Sequence, residues 1–232
     1  MAEGFVRVGG HRRVAEEVLS YGFAEPGSAG GDRATLGPVP LLVRPLRLPL
    51  AGTPLVAPFG RRRQAAVREI TSRDPRITRL WERFAVDVGV AVERDASFID
   101  QHIFARPEAG YRVLILEDGD RYAIRAMCIF KVGYVMELLH DRSVAGMRAA
   151  SHLLGLALRE MSDAGAASAH AWSLPHSGSF PIFARHAFFP MPERFRFRSS
   201  VEHLVVRALD PTVEEIVTRR DAWYLSYLDS GL

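Results

Sequence analysis

The chain has 232 residues, 48% of them hydrophobic and 25% charged, which is enough apolar material for one large or two small cores. Its 30 Lys plus Arg against 27 Asp plus Glu leave a net charge of +3, too small to argue for nucleic acid, and the single cysteine, Cys128, rules out an intrachain disulfide. No apolar run reaches the roughly 18 residues needed to span a bilayer. The N-terminus lacks the charged start, apolar core and cleavage site of a signal peptide, so a cytoplasmic location is expected.

In chain order, Phe5–Val8 reads as a short strand and His11–Leu19 as a helix ending at Tyr21-Gly22-Phe23. Pro26–Pro40 is rich in Gly and Pro, which is loop chemistry. Leu41–Leu50 is apolar, and Pro45 and Pro49 confine it to an edge strand or an extended arm. Residues 51–73 read as a linker. Arg61-Arg62-Arg63 within it has no interleaved aromatics and reads as a solvated charge run. Asp74–Val88 predicts a helix, because Ile77, Leu80, Trp81, Phe84 and Val88 share one face.

Tyr111–Leu116 and Tyr122–Phe130 flank Glu117-Asp118-Gly119-Asp120, and Asp118-Gly119 is a two-residue hairpin signal. Cys128 falls in the second of these strands, where a buried, inert thiol is expected. A tight turn leads to a third strand, Tyr134–Leu139, whose apolar run is broken by Glu137. Alternation places Glu137 on the face opposite Tyr134, Met136 and Leu138. Asp141 and Ser143 can cap a long helix carrying Met147, Ala150, Leu154, Leu158 and Met161, which ends at Ala164-Gly165. Ala166–Leu174 returns as a strand, His176–Ala184 holds a short helix, Ser200–Leu209 alternates like a strand, and Pro211–Val217 is a short acidic helix. Phe180, Ile182, Phe183, Phe188 and Phe189 read as core, and Trp223–Leu228 closes the chain.

Strand, helix and returning strand from Arg121 to Pro175 form a βαβ-like unit. This order continues through Arg185-His186-Ala187-Phe188-Phe189 and a closing hairpin, and it resembles the acyl-CoA-dependent GNAT acetyltransferases. Arg94-Asp95, Phe98, Arg106-Pro107, Tyr111 and Trp223…Asp229-Ser230 are similar to a poorly characterised bacterial branch of that superfamily. The resemblance covers roughly residues 74–232 and implies a fold of the α+β (three-layer α/β) class, with a mixed, mainly antiparallel sheet flanked by helices. The opening also looks like the tail of such a unit. Tyr21-Gly22-Phe23 compares with His186-Ala187-Phe188, and Val43-Arg44-Pro45-Leu46 with Val206-Arg207-Ala208-Leu209. An internal repeat and chance similarity both remain open. The expected division is a tail-like segment 1–50, a linker 51–73 and a GNAT-like domain 74–232.

The resemblance implies acyl transfer from acetyl-CoA to the amine of a small molecule or peptide. Such chemistry needs a base for the amine proton and a nest of N–H groups for the CoA pyrophosphate. Glu137 stands where several relatives place the base; a carboxylate paired with an arginine such as Arg125 is the alternative. His140, at the strand end, is a second catalytic candidate, with a surface or capping histidine as its alternative. Leu139, Arg142, Ser143 and Gly146 are the expected cofactor-binding residues. The loop departs from the family pattern: its spacing is one residue too long, Arg148 replaces a small residue, and Asp141 brings an anion to the phosphate position. The family's tyrosine on the following helix is also missing from His176–Phe189, leaving His176 and Ser177 as substitutes. A non-catalytic GNAT-like module that binds a ligand or stabilises a partner is therefore the second reading. The eight histidines show no ligand spacing, so no metal is expected. No nucleic acid or membrane is expected as a partner either; a homodimer is allowed, and the sequence does not fix the oligomeric state.

Overall fold

A computed structural model describes residues 5–24, 33–46, 67–119, 122–192 and 202–230. Its centre is a mixed seven-stranded sheet of β5 (Leu41–Pro45), β6 (Val67–Ile70), β8 (Arg112–Asp118), β9 (Ala123–Lys131), β10 (Tyr134–His140), β11 (Ser168–Trp172) and β12 (Phe189–Pro190), with β1 to β4, β7 and β13 elsewhere. The spatial order is β12-β5-β11-β10-β9-β8-β6, and β10 with β11 is its parallel pair. Among the described residues there are also two three-stranded antiparallel sheets: β2 (His11–Val14), β1 (Phe5–Val8) and β7 (Val90–Val92) form one, and β3 (Leu19–Ala24), β13 (His203–Ala208) and β4 (Ala34–Pro38) the other.

The central strands are covered on both faces, so they read as continuous apolar runs rather than alternations. One face packs α2 (Arg76–Phe84), whose Ile77, Leu80, Trp81 and Phe84 are fully buried with Ile115, Met127, Ile129 and Met136. Each such side chain contributes about 1.5–3 kcal/mol of apolar burial. The opposite face packs α4 (Val144–Asp163) through Ala150, Leu153, Leu154, Ala157, Leu158 and Met161 against Leu114, Cys128 and Leu138. Burial pushes the Cys128 thiol up, as an inert core thiol requires. Among the described residues, no helix is long and apolar enough to cross a membrane.

The element order expected from the resemblance is observed as far as the turn at His186-Ala187-Phe188: hairpin β8–β9, central strand β10, long helix α4, strand β11, then α5 (Phe180–Arg185). The expected closing hairpin is not, because β12 pairs with β5 and β13 with β3 and β4. Five local expectations are corrected. Ala34–Pro38, inside the expected loop Pro26–Pro40, is strand β4, paired with β13. His11–Val14 is a strand rather than helix, because Gly9 and Gly10, at φ 57° and 84°, form the two-residue turn that pairs it with β1. The β8–β9 hairpin forms but pairs only as far as Asp118↔Ala123, so Asp118-Gly119 is not a two-residue turn, and Tyr122 takes a positive φ of 48°. Val67–Ile70, inside the expected linker, is edge strand β6, while residues 47–66 lie outside the described residues. Phe189 is exposed rather than core.

The largest correction concerns β5, which is an inner strand and not an edge or an arm. It lies antiparallel between β11 and β12, with Pro45 at its end, where a lost N–H costs least. β13, the compared segment near the other end of the chain, pairs instead with β3, which carries Tyr21-Gly22-Phe23. The exchange is reciprocal: each closing strand pairs beside the other segment's turn. Arg44 of β5 is buried and donates to the His186 carbonyl at 2.6 Å.

Candidate functional site

Glu93-Arg94-Asp95 carries the chain from β7 into α3 (Ala96–Ile99) and divides its charges by direction. Glu93 accepts from the Trp81 indole N–H and pairs with Arg7 at 3.1 Å. Asp95 caps α3 through the Phe98 N–H at 2.8 Å and pairs with Arg12 at 2.9 Å. Arg94 turns inward to 0% exposure and meets Glu137 at 3.0 Å and Asp229 at 2.6 Å. Burial alone would lower its pKa; the charges of Asp229 and Glu137 outweigh that and hold it raised.

Glu137 is therefore paired, but with Arg94 rather than Arg125. Its carboxylate accepts four donors: Arg94 Nε, Ser226 Oγ at 2.9 Å, the Leu138 N–H at 2.9 Å, and the Tyr224 hydroxyl. Burial and then the Glu137 charge keep the Tyr224 hydroxyl protonated well above the usual range. The expected strict alternation also fails here. A register shift between Val135 and Glu137 lets Tyr134, Met136 and Glu137 all face the α2 side, where Tyr134 packs as core. A base must reach the proton it removes; both Glu137 oxygens are occupied and the residue is 1% exposed.

The turn after β10 is filled by its own side chains. Asp141 accepts from the Ser143 N–H at 3.1 Å and the Ser143 hydroxyl at 2.5 Å, and Arg125 holds its other oxygen at 2.7 Å. Burial pushes this carboxyl up, but those hydrogen bonds and Arg125 leave it below the usual carboxylate range. Ser143 Oγ takes the Gly146 N–H at 2.9 Å, capping α4. Gly146 is needed because a Cβ there would lie 2.9 Å from Asp141 Cγ and 3.0 Å from its backbone N. His140 is buried, not on the surface. Its Nδ1 accepts the Arg142 N–H at 3.1 Å and its Nε2 faces the Gly178 carbonyl at 3.2 Å, which fixes the tautomer. Burial lowers its pKa, so it stays neutral. Arg142, at φ 63°, reaches away from the turn, donating to the Phe84 carbonyl at 2.8 Å and lying 5.0 Å over the Phe84 ring. Leu139 is plain core.

An acyl-CoA pyrophosphate needs free N–H donors and a local positive field at this turn. Here the Ser143 and Gly146 N–H groups are already bonded, and a carboxylate occupies the cradle that Gly146 opens. The expected set Leu139, Arg142, Ser143 and Gly146 does not fit that group as arranged. His176 and Ser177 are also engaged, with the Trp223 carbonyl at 2.8 Å and Ser179 Oγ at 2.9 Å.

β10 and β11 pair at Tyr134↔His170 and Val135↔Ala171 and part beyond, while β10 runs on to His140. The chain's closing segment lies against this divergence. Tyr227 stacks on Trp172 with ring centroids 4.8 Å apart and meets Tyr134 edge-on at 5.3 Å. Beside the Arg94–Asp229 pair lies a cavity of about 590 Å3, on whose wall stand Asp95, Phe98, Arg106 and Asp229. The fold thus brings together residues spread over the resembling segment, and none of Leu139, Glu137, His140, Arg142, Ser143 or Gly146 lines the cavity. The roles of Arg94, Tyr224, Ser226 and Asp229 were not read from the sequence. The available signals were the Arg94-Asp95 and Trp223…Asp229-Ser230 motifs of the resemblance and three consecutive charges directly after an apolar run. Among the described residues no group of three or more His, Cys, Asp or Glu could hold a metal ion.

No family model matches the chain, and no curated protein matches it. Among solved structures it is similar to a GCN5-related N-acetyltransferase from Sphaerobacter thermophilus, at 11% identity and a TM-score of 0.45 over 85% of this chain and 62% of that one. It is also similar to a tandem GNAT protein from the clavulanic acid biosynthesis pathway, solved without AcCoA, at 13% identity and a TM-score of 0.47 over 84% of this chain and 65% of that one. The chain therefore spans less than two thirds of the length of either.

Proposed function

We propose that this chain is a GNAT-like module that binds a small polar ligand and does not transfer acyl groups. The observation that carries the reading is the Asp141 carboxylate, seated in the turn after β10, bonded to the Ser143 N–H and Oγ and held by Arg125. An incoming pyrophosphate would meet a fixed anion and two N–H groups already spent, those of Ser143 and Gly146. Glu137 supports the same reading, since a carboxylate with four donors in a closed interior serves structure. The cavity beside Asp229 is the ligand's place.

A thermal-shift titration with acetyl-CoA tests this. Binding to the native state alone raises stability by RT ln(1 + [L]/Kd), about 2.7 kcal/mol at a hundredfold excess over Kd. The expected result is no shift up to roughly millimolar ligand. A second reading, acyl transfer from acetyl-CoA to an amine, is favoured by the parting of β10 and β11 beyond Val135 and Ala171. A saturable rise in melting temperature with acetyl-CoA would select it.

A further inference from the structure

The cavity of about 590 Å3 is walled by β1 and β7, by the helical segment that follows Asp95, and by Leu228 and Asp229. Its volume lies in the range that holds small organic ligands, roughly 300–1,000 Å3. Asp229 has its two oxygens in unlike situations. Oδ2 receives Arg94 at 2.6 Å and the Ser226 N–H at 2.9 Å, while Oδ1 is buried without a hydrogen-bond partner. Buried acceptors are almost always satisfied. Asp229 is one of the residues lining the cavity, which points to a donor brought by a ligand.

Charge gives the donor its sign. Arg94 is one cation bonded to two carboxylates, Glu137 and Asp229, so this buried cluster is one positive charge short. A phosphate or carboxylate beside Oδ1 would meet like charge; an ammonium group would complete the cluster. Tyr21 shares the wall, and the Asp229 charge adds to burial in keeping its hydroxyl protonated. The wall also carries a cation of its own. Arg12 is engaged by Asp95 at 2.9 Å, whereas Arg106 makes no ion pair among the described residues. Phe98 and His102 stack at 4.1 Å and 16° and add a flat aromatic surface.

We infer that this cavity binds a small zwitterion of amino-acid type, its ammonium donating to Asp229 Oδ1 and its carboxylate meeting Arg106. The inference deepens the binding-module reading by naming the ligand class. Its test turns on Asp229 and Arg106, whereas the acetyl-CoA test turns on Asp141, so either can fail alone.

The test is a thermal-shift and calorimetric titration of the full chain with the standard L-amino acids, with butylamine and butyrate as single-charge controls. At least one amino acid at roughly 10 mM is expected to raise the melting temperature. Butylamine is expected to act more weakly, and butyrate not at all. Arg106 is exposed, so Arg106→Ala folds as the parent does, and it is expected to weaken amino-acid binding about tenfold while leaving butylamine unchanged. Asp229→Asn is expected to abolish both. The inference is overturned if neither amino acids nor butylamine stabilise the parent chain, if butyrate stabilises it as well as an amino acid does, or if Arg106→Ala leaves amino-acid affinity unchanged.

Discussion

Arg94 and Asp229 meet at 2.6 Å with side chains 0% and 1% exposed, joining the entry of α3 to the closing turn of the chain. The contact locks a terminal segment into the interior, and Glu137 on β10 shares the same guanidinium. Removing one partner of a buried ion pair leaves uncompensated charge, which costs about 3–5 kcal/mol. Arg94→Leu is expected to lose that much in urea denaturation. A loss below about 1 kcal/mol would mean that the three charges do not depend on one another.

Ala187 sits at φ 56°, in the left-handed region that favours glycine. A left-handed non-glycine residue costs about 1–2 kcal/mol, and glycine gives back roughly 0.5–1 kcal/mol of that in chain entropy. Ala187→Gly is therefore expected to stabilise the chain by about 0.5–1 kcal/mol. Destabilisation by the same amount would show that the turn does not hold this backbone conformation.

His186 is buried beside Arg44, and burial followed by that charge lowers its pKa to about 4. The folded chain then binds fewer protons than the unfolded chain between the ordinary histidine value of 6.5 and about 4. Stability present above pH 6.5 is lost as pH falls through that window, by on the order of 1–3 kcal/mol at 1.36 kcal/mol per unit. His140, lowered by burial, acts with the same sign. Denaturation midpoints taken from pH 7 to pH 4 should fall, and His186→Gln should flatten the slope. An unchanged slope would remove His186 from the account.

The strand exchange predicts a cross-link. Ser20 on β3 and Arg207 on β13 are directly opposite and both exposed. Opposed residues of an antiparallel pair lie about 4.5–5.5 Å apart, within reach of a disulfide. The variant with cysteine at both positions should oxidise to an intrachain disulfide in the folded state, and Cys128, fully buried, should not compete. Failure to form it in the native chain would contradict the pairing of β13 with β3.

What the sequence made legible was local. The spacing of Ile77, Leu80, Trp81 and Phe84 and the repeat from Ala150 to Met161 located α2 and α4, because helical periodicity follows from one buried face. Asp141 and Ser143 both fit as caps before that repeat, and Ser143 is the cap observed. What escaped depended on distant partners. The inner position of β5 rests on pairing with β11 and β12, which Pro45 and Pro49 argued against. The side of the sheet that Glu137 faces rests on a register shift that reverses simple alternation. Arg125, the arginine the sequence offers as a partner for Glu137, instead holds Asp118 and Asp141.

The central claim is that the turn after His140 already holds an anion and has no room for another. Isothermal titration of acetyl-CoA into the full chain at low ionic strength tests it most directly, since weak screening would favour any phosphate contact. The account predicts no saturable heat at ligand concentrations up to roughly 1 mM. Saturable binding with a Kd of about 100 μM or tighter would contradict it and return Arg142, Ser143 and Gly146 to the role of a working pyrophosphate site.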